Sequence, residues 1–310
     1  MVLAYAGLAA VALSPWPQLI GLAVLGINPV WSAIGADARQ LWSLIGVIAM
    51  TAALAVATSA TGRWQLLLGV LLTCALAAYS ARLVRLGIHQ AGAFTLMLAA
   101  YVMVDPGRAI DGIAATMPLW RLMLLIALVP GGCALWATVV TRLLGRGNLP
   151  TPRPVVADLP YGPLLGGLAS VFLAICLIWF PGTEVWWVVL TLVCILRPTR
   201  AETATRERYR VYGTLLGGIG AGLIGWLVPH QPVWIVLGAI AIAVGTAINL
   251  NGGPYWKWST LVTFAVVMLT FTPQTVLDGD LTRVAATLVG VSLTVGAMVF
   301  VDRCWPSLRH

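Results

Sequence analysis

Apolar residues fill this chain in long blocks, with no charged side chain in 1–36, 40–62, 64–81, 86–104, 122–141, 159–183, 211–256, 258–277 or 284–301. A membrane-spanning helix needs about 20 such residues at about 1.5 Å rise each. Divided at prolines, glycines and charges, the blocks predict twelve helices. The first six run at about 2–14, 17–35, 40–60, 64–81, 87–104 and 119–141, and the second six at 161–180, 184–197, 209–228, 232–250, 257–273 and 281–301. The connections are too short for a folded extramembrane domain, the longest polar one running from Arg142 to Leu159. Strands of a membrane barrel would alternate apolar and polar positions, whereas Leu164 to Phe180 is apolar on every side, which excludes a barrel. The predicted class is an all-α integral membrane protein.

The first helix is short. Val2 to Leu13 reaches only ~18 Å, against a hydrocarbon core of about 30 Å. Either it tilts into a cavity or translation starts elsewhere. A cleaved signal peptide is the other reading, against which stands the lack of any Lys or Arg before Gln18.

Composition sharpens the class. Of 310 residues, 60% are hydrophobic and 9% charged, where a soluble domain carries about 25% charged residues. An ordinary cytosolic enzyme is thereby excluded. The 18 Lys and Arg residues also set orientation. With a cytoplasmic N-terminus, the inner loops and tail hold all of them except Arg63, Arg108, Arg121 and Arg283. Both termini are therefore expected inside, and the net charge of +8 reflects topology rather than nucleic-acid binding. Lys257 is the single lysine, an Arg bias that hints at a GC-rich bacterial genome and hence a bacterial inner membrane.

The five cysteines are scattered singly, and His89, His230 and His310 stand alone. No disulfide framework, metal spacing or nucleotide-cradling loop is visible, so no cofactor and no metal is expected. An intramembrane enzyme would need a nucleophile, metal or acid–base cluster, and none is apparent.

The chain repeats itself. A slide of about 169 residues brings Asn28-Pro29 onto Arg197-Pro198, Asp37–Gln40 onto Arg206–Tyr209, and Trp64 onto Trp234. With small gaps Asp105-Pro106 meets Thr272-Pro273, and Arg121 meets Arg283. Two parallel six-helix repeats follow, 1–148 and 161–303, joined by a Pro-rich cytoplasmic linker at 149–160 and followed by a tail at 304–310. An even number of helices per half relates the halves by a pseudo-twofold axis along the membrane normal, which makes their interface the natural place for a passage.

The block from Trp186 through Leu196 to Arg197-Pro198, then Thr203, Arg206 and Arg210, then Gly213-Thr214-Leu215-Leu216-Gly217, resembles the fusaric acid resistance and aromatic acid exporter family. That family's pattern is an aromatic-led helix of the type WAxLTxxxxLxP, a basic cytoplasmic turn, and R-x-x-GT-x-x-G. Leu281 to Gly290, with Arg283 and Thr287, resembles its closing helix, although Ala286 stands where an Asp is often found. The resemblance covers roughly 160–303, and the first half only through the internal repeat. It lacks the cytoplasmic domains of large members. It implies export of aromatic carboxylic acids. A more distant similarity to plant malate channels implies an anion path between six-helix units.

Several residues have two readings each. Arg197 either snorkels to the interface or faces the passage and holds a carboxylate in a bidentate fork. Arg210 either caps the inner mouth or serves positive-inside topology. Arg121 and Arg283 lie on the side that topology keeps poor in positive charge. They either form an anion-drawing pair at the outer mouth or pair with nearby acids, Asp111 for Arg121 and Asp278 or Asp280 for Arg283. Trp186 and Trp187 either stack an aromatic ring or cover the passage. Trp16, Trp64, Trp234, Trp256 and Trp258 are expected in the interfacial belt. Gly213, Gly217, Gly218 and Gly222 carry the spacing of close helix approach. Coupling to protons would fall to Glu184 or Asp37, since no ionisable group lies mid-helix.

The resulting expectation is an inner-membrane exporter of small organic anions, probed best by its guanidinium-lined seam. A passive anion channel and a non-transporting scaffold for envelope assembly are the alternatives. The expected partners are an organic anion, protons, the bilayer, and a second copy or a separate subunit.

Overall fold

The computed structural model describes residues 2–110, 112–145, 149, 151–228, 230–270 and 276–304, and among them every regular element is helical. The expected tail beyond 304, Arg146, Asp111 and Thr272-Pro273 lie outside the described residues, as do the side chains of Asp278 and Asp280.

In the first half the helices are α1 (Ala6–Ala12), α2 (Ile20–Ser32), α3 (Ala38–Ser59), α4 (Gln65–Val84), α5 (His89–Val104), a single turn α6 (Pro106–Ile110) and α7 (Leu119–Leu144). The second half has α8 (Tyr161–Trp179), α9 (Trp187–Ile195), α10 (Arg200–Leu227), α11 (Gln231–Leu250), α12 (Tyr255–Thr270) and α13 (Val276–Cys304). Short 3₁₀ turns at Val2–Tyr5, Pro17–Leu19, Gly62–Trp64 and Glu184–Trp186 lead into the helices that follow them.

Hydrocarbon offers no hydrogen bonds to the backbone, which is why segments this apolar close their polar groups within helices. Among the described residues six helices are long and apolar enough to cross a membrane: Ala38–Ser59, Gly62–Val84, Leu119–Leu144, Tyr161–Trp179, Pro232–Asn249 and Leu281–Val301. The chain is a multi-pass, all-helical membrane protein. Two of the remaining expected spans, α5 and α9, are short because they are enclosed by protein. At helical rise α5 covers only about 24 Å, yet it is buried at every position except Gln90. All nine residues of α9 are buried as well. Both are sheathed by longer helices and do not have to span lipid by themselves.

Helix starts follow local chemistry. Asp37 closes a capping box at α3, accepting from the Gln40 amide at 2.7 Å while its own amide donates to Gln40 Oε1 at 3.3 Å. Asp158, in the linker, accepts from the Arg200 amide at 2.9 Å where α10 begins. The second half of the linker is tied down, because the Val155 amide donates to Val84 and the amides of Asp158 and Leu159 donate to Pro198.

Around these starts the helices pack into two clusters. In one, α2 and α3 lie on α5 and α7, and α4 lies on α5. In the other, α9 lies on α13, α10 on α12 and α13, and α11 on α12. The clusters join where α4 and α5 meet α8, where α5 meets α9, and where Tyr5 shares a 2.8 Å hydrogen bond with Thr246 on α11.

Small residues let α10 approach α12. A Cβ on Gly213 would lie 2.4 Å from Ser259, and one on Gly217 would lie 2.5 Å from the Thr260 carbonyl. Gly218 is also buried. Gly222, expected in the same packing role, has open space beside it. The stripe facing α12 continues from 213 and 217 to the fully buried Ala221, and Gly222 is rotated about 100° past it.

Candidate functional site

Between the two clusters lies a cavity of about 90 Å³ with largely apolar walls. The first half contributes α2 and α5, and the second half contributes α9 to α13. Trp187, Leu190 and Cys194 line it from α9, and their i, i+3, i+7 spacing puts them on one stripe about 10 Å long. The space holds several waters or a small ring in their place. Two arginines enter it from the second half, Arg283 and Arg210.

Arg283 marks the Trp187 end. The 3₁₀ turn at Glu184–Trp186 carries two indoles into the wall, and the Trp186 and Trp187 rings stack at 4.2 Å with 24° between their planes. Tyr101 of α5 meets Trp186 at 4.9 Å. The Arg283 guanidinium lies 4.8 Å over the Trp187 ring, and Nη1 donates to the Thr263 carbonyl at 2.8 Å. With the side chain 1% exposed, this contact belongs to the desolvated class, where cation–π attraction reaches about 2 kcal/mol.

Arg210 marks the other end. The Tyr255 hydroxyl donates to the Cys194 carbonyl at 3.4 Å, and Arg210 is close enough to bias that phenol electrostatically. Arg210 is itself 1% exposed. Its Nε and Nη1 meet no hydrogen-bond acceptor among the described residues.

Arg197 is not among the cavity-lining residues. It turns back on the end of its own helix, donating from Nη1 to Val193 and Leu196 carbonyls and from Nη2 to the Cys194 carbonyl at 3.0 Å. Glu202 Oε1 bridges Arg197 Nε at 3.3 Å and Arg206 Nε at 2.9 Å. With its amide oxygen turned toward them, Gln90 of α5 accepts from both arginines at 3.0–3.2 Å. Arg206 also lies 4.6 Å over the Tyr255 ring. This cluster touches the cavity wall through the Cys194 carbonyl. Gln90, Glu202 and Tyr255 escaped the sequence reading, and only the Thr203 and Arg206 positions of the family-like block pointed toward them.

The other candidates are placed elsewhere. Arg121 is exposed at the start of α7, 5.1 Å over the adjacent Trp120 ring, and does not line the cavity with Arg283. Asp37 is occupied as a helix cap. Glu184 is half-buried two residues before the cavity-lining Trp186. Two expected belt tryptophans are internal. Trp234 is fully buried with Nε1 donating to the Val228 carbonyl, and Trp258 lines the cavity. Each sits on the inward face of a helix whose starting neighbours, Val233 and Trp256, stay exposed. Among the described residues no three His, Cys, Asp or Glu side chains gather to hold a metal ion.

Residues 166–297 match the family model described as fusaric acid resistance protein-like. That stretch runs from α8 into α13 and contains both cavity arginines and both stacked indoles. No curated protein and no solved structure matches the chain.

Proposed function

We propose that this protein is a bacterial inner-membrane transporter that exports small organic anions, aromatic carboxylic acids in particular, through the cavity between two parallel six-helix repeats. One observation carries the reading: two buried arginines and a stacked indole pair line a single apolar cavity walled by both halves of the chain. A pocket of this kind takes a flat ring against the indoles and a carboxylate against a guanidinium. Arg283 and the Trp186-Trp187 pair form one end of that site, and Arg210 stands at the other. The similarity of 166–297 to a family of membrane transport proteins, rather than enzymes, points the same way.

The repeat reading is supported by the order of helix pairings. The contacts of α2 with α7, α3 with α5, α3 with α7 and α4 with α5 recur as α9 with α13, α10 with α12, α10 with α13 and α11 with α12. The short buried helices α2 and α9 occupy equivalent places in that order, each ending near a proline. Both termini lie in the cytoplasm in this topology, following the arginine count.

The test is flux of labelled benzoate from proteoliposomes, with acetate and an uncharged aromatic amide as comparison solutes, with and without a pH gradient. Benzoate should move fastest and should compete with other aromatic acids. Equal, non-competing leakage of all three solutes would reject a transport role for the cavity and favour the scaffold.

A further inference from the structure

Arg210 raises a question of charge balance that an occasional visiting solute does not answer. Its side chain is 1% exposed, and Nε and Nη1 have no acceptor among the described residues. Glu207, one turn earlier on α10, makes no ion pair with it; the acid bridging on that helix is done by Glu202 toward Arg197 and Arg206. Arg197 is equally buried, yet it is satisfied by carbonyls, Glu202 and Gln90. An arginine does not shed its proton, and a lone buried cation is strongly disfavoured. The neutralising charge has to come from solution, and the cavity is where it has room.

We propose that Arg210 holds a compact monovalent inorganic anion, of the chloride or nitrate kind, as a resident counterion of the solute-free protein. Asn28 of α2 lines the same cavity and is half-buried, so an amide donor from the first half faces the space that this guanidinium enters from the second. The Trp258 indole and Cys194 complete a weakly polar wall. One guanidinium among apolar walls compensates a single charge poorly hydrated in water, and not the costly dehydration of sulfate or phosphate. The inference shares its cavity with the transport reading but depends on the burial of Arg210, whether or not any organic acid moves.

The test is thermal unfolding of the full-length protein in detergent, with nitrate or chloride replacing gluconate at constant ionic strength. Gluconate is bulkier and more strongly hydrated than chloride or nitrate, so it is the weaker occupant of a cavity with largely apolar walls. The midpoint should rise by about 5 °C between 1 and 100 mM nitrate, as binding to the folded state alone requires, and sulfate should not reproduce the rise. Arg210→Gln should be flat, and in gluconate at least as stable as the wild type, because it removes an uncompensated charge. Arg283→Gln should keep the rise. A wild-type midpoint indifferent to nitrate, or a rise that persists in both Arg210→Gln and Arg210→Met, overturns the proposal. If neither Arg210 variant folds, broadening of the chloride NMR line by the wild type, relieved by nitrate, replaces them, and its absence has the same meaning. Benzoate flux is read separately and depends on Arg283, so either idea can fail alone.

Discussion

Under the proposed transport role, solute recognition falls to the contact between the Arg283 guanidinium and the Trp187 indole. A charge-assisted hydrogen bond contributes about 1.5–3 kcal/mol, so Arg283→Gln should slow benzoate flux about 10- to 100-fold while the protein still reaches the membrane. Trp187→Leu keeps an apolar wall and loses the ring face, and aromatic contacts contribute about 0.5–1.5 kcal/mol beyond area. Preference for benzoate over acetate should therefore fall about 3- to 10-fold, and an unchanged preference would remove the indoles from recognition. At the opposite end, Glu202→Gln deprives Arg197 and Arg206 of their shared carboxylate. Because Glu202 is partly exposed, the loss is modest, about 1–2 kcal/mol, read as a midpoint lower by a few degrees. The Trp186-Trp187 pair was legible as a dipeptide beside a family-like motif. Its union with Arg283 was not, since adjacency across α9 and α13 has no mark in either segment.

At the scale of elements, small residues decide which helices touch. Gly217→Ala would drive a methyl into the Thr260 carbonyl on α12, and such overpacking costs about 1–3 kcal/mol. Gly222→Ala enters open space and should be neutral or stabilising by about 0.5–1 kcal/mol through helix propensity. Unfolding midpoints of the two variants separate these outcomes, and equal effects would contradict the packing stripe through 213, 217 and 221. The sequence spacing marked α10 as a close-packing helix but could not say which of its glycine faces was used. Hydropathy likewise located α5 and α9 as apolar segments. That they are wrapped by other helices, and so can be shorter than a bilayer, depends on neighbours far along the chain.

At the scale of the molecule, positive-inside counting and a repeat alignment suggested Arg121 and Arg283 as a pair. The fold separates them: α13 presents Arg283 to the seam, while α7 leaves Arg121 outside beside Trp120. Arg121→Ala should therefore leave benzoate flux within about twofold of wild type, in contrast to Arg283→Gln; a comparable loss would reinstate an outer anion pair. Glu184 remains the coupling candidate near the cavity. Glu184→Gln should abolish acceleration by a pH gradient while sparing downhill benzoate exchange, and retained acceleration would dismiss it.

Helicity, membrane residence and the approximate position of each apolar segment were decided by sequence alone, because hydrocarbon forces an apolar backbone to satisfy itself within one segment. The same residues marked a family-like second half and an arginine-rich interior edge. Which arginine is satisfied by carbonyls, which rests on an indole and which stays unpaired in a cavity was settled only by tertiary packing. A guanidinium at the end of a long side chain takes its role from whatever surrounds it, and here the surroundings come from helices on both sides of the linker.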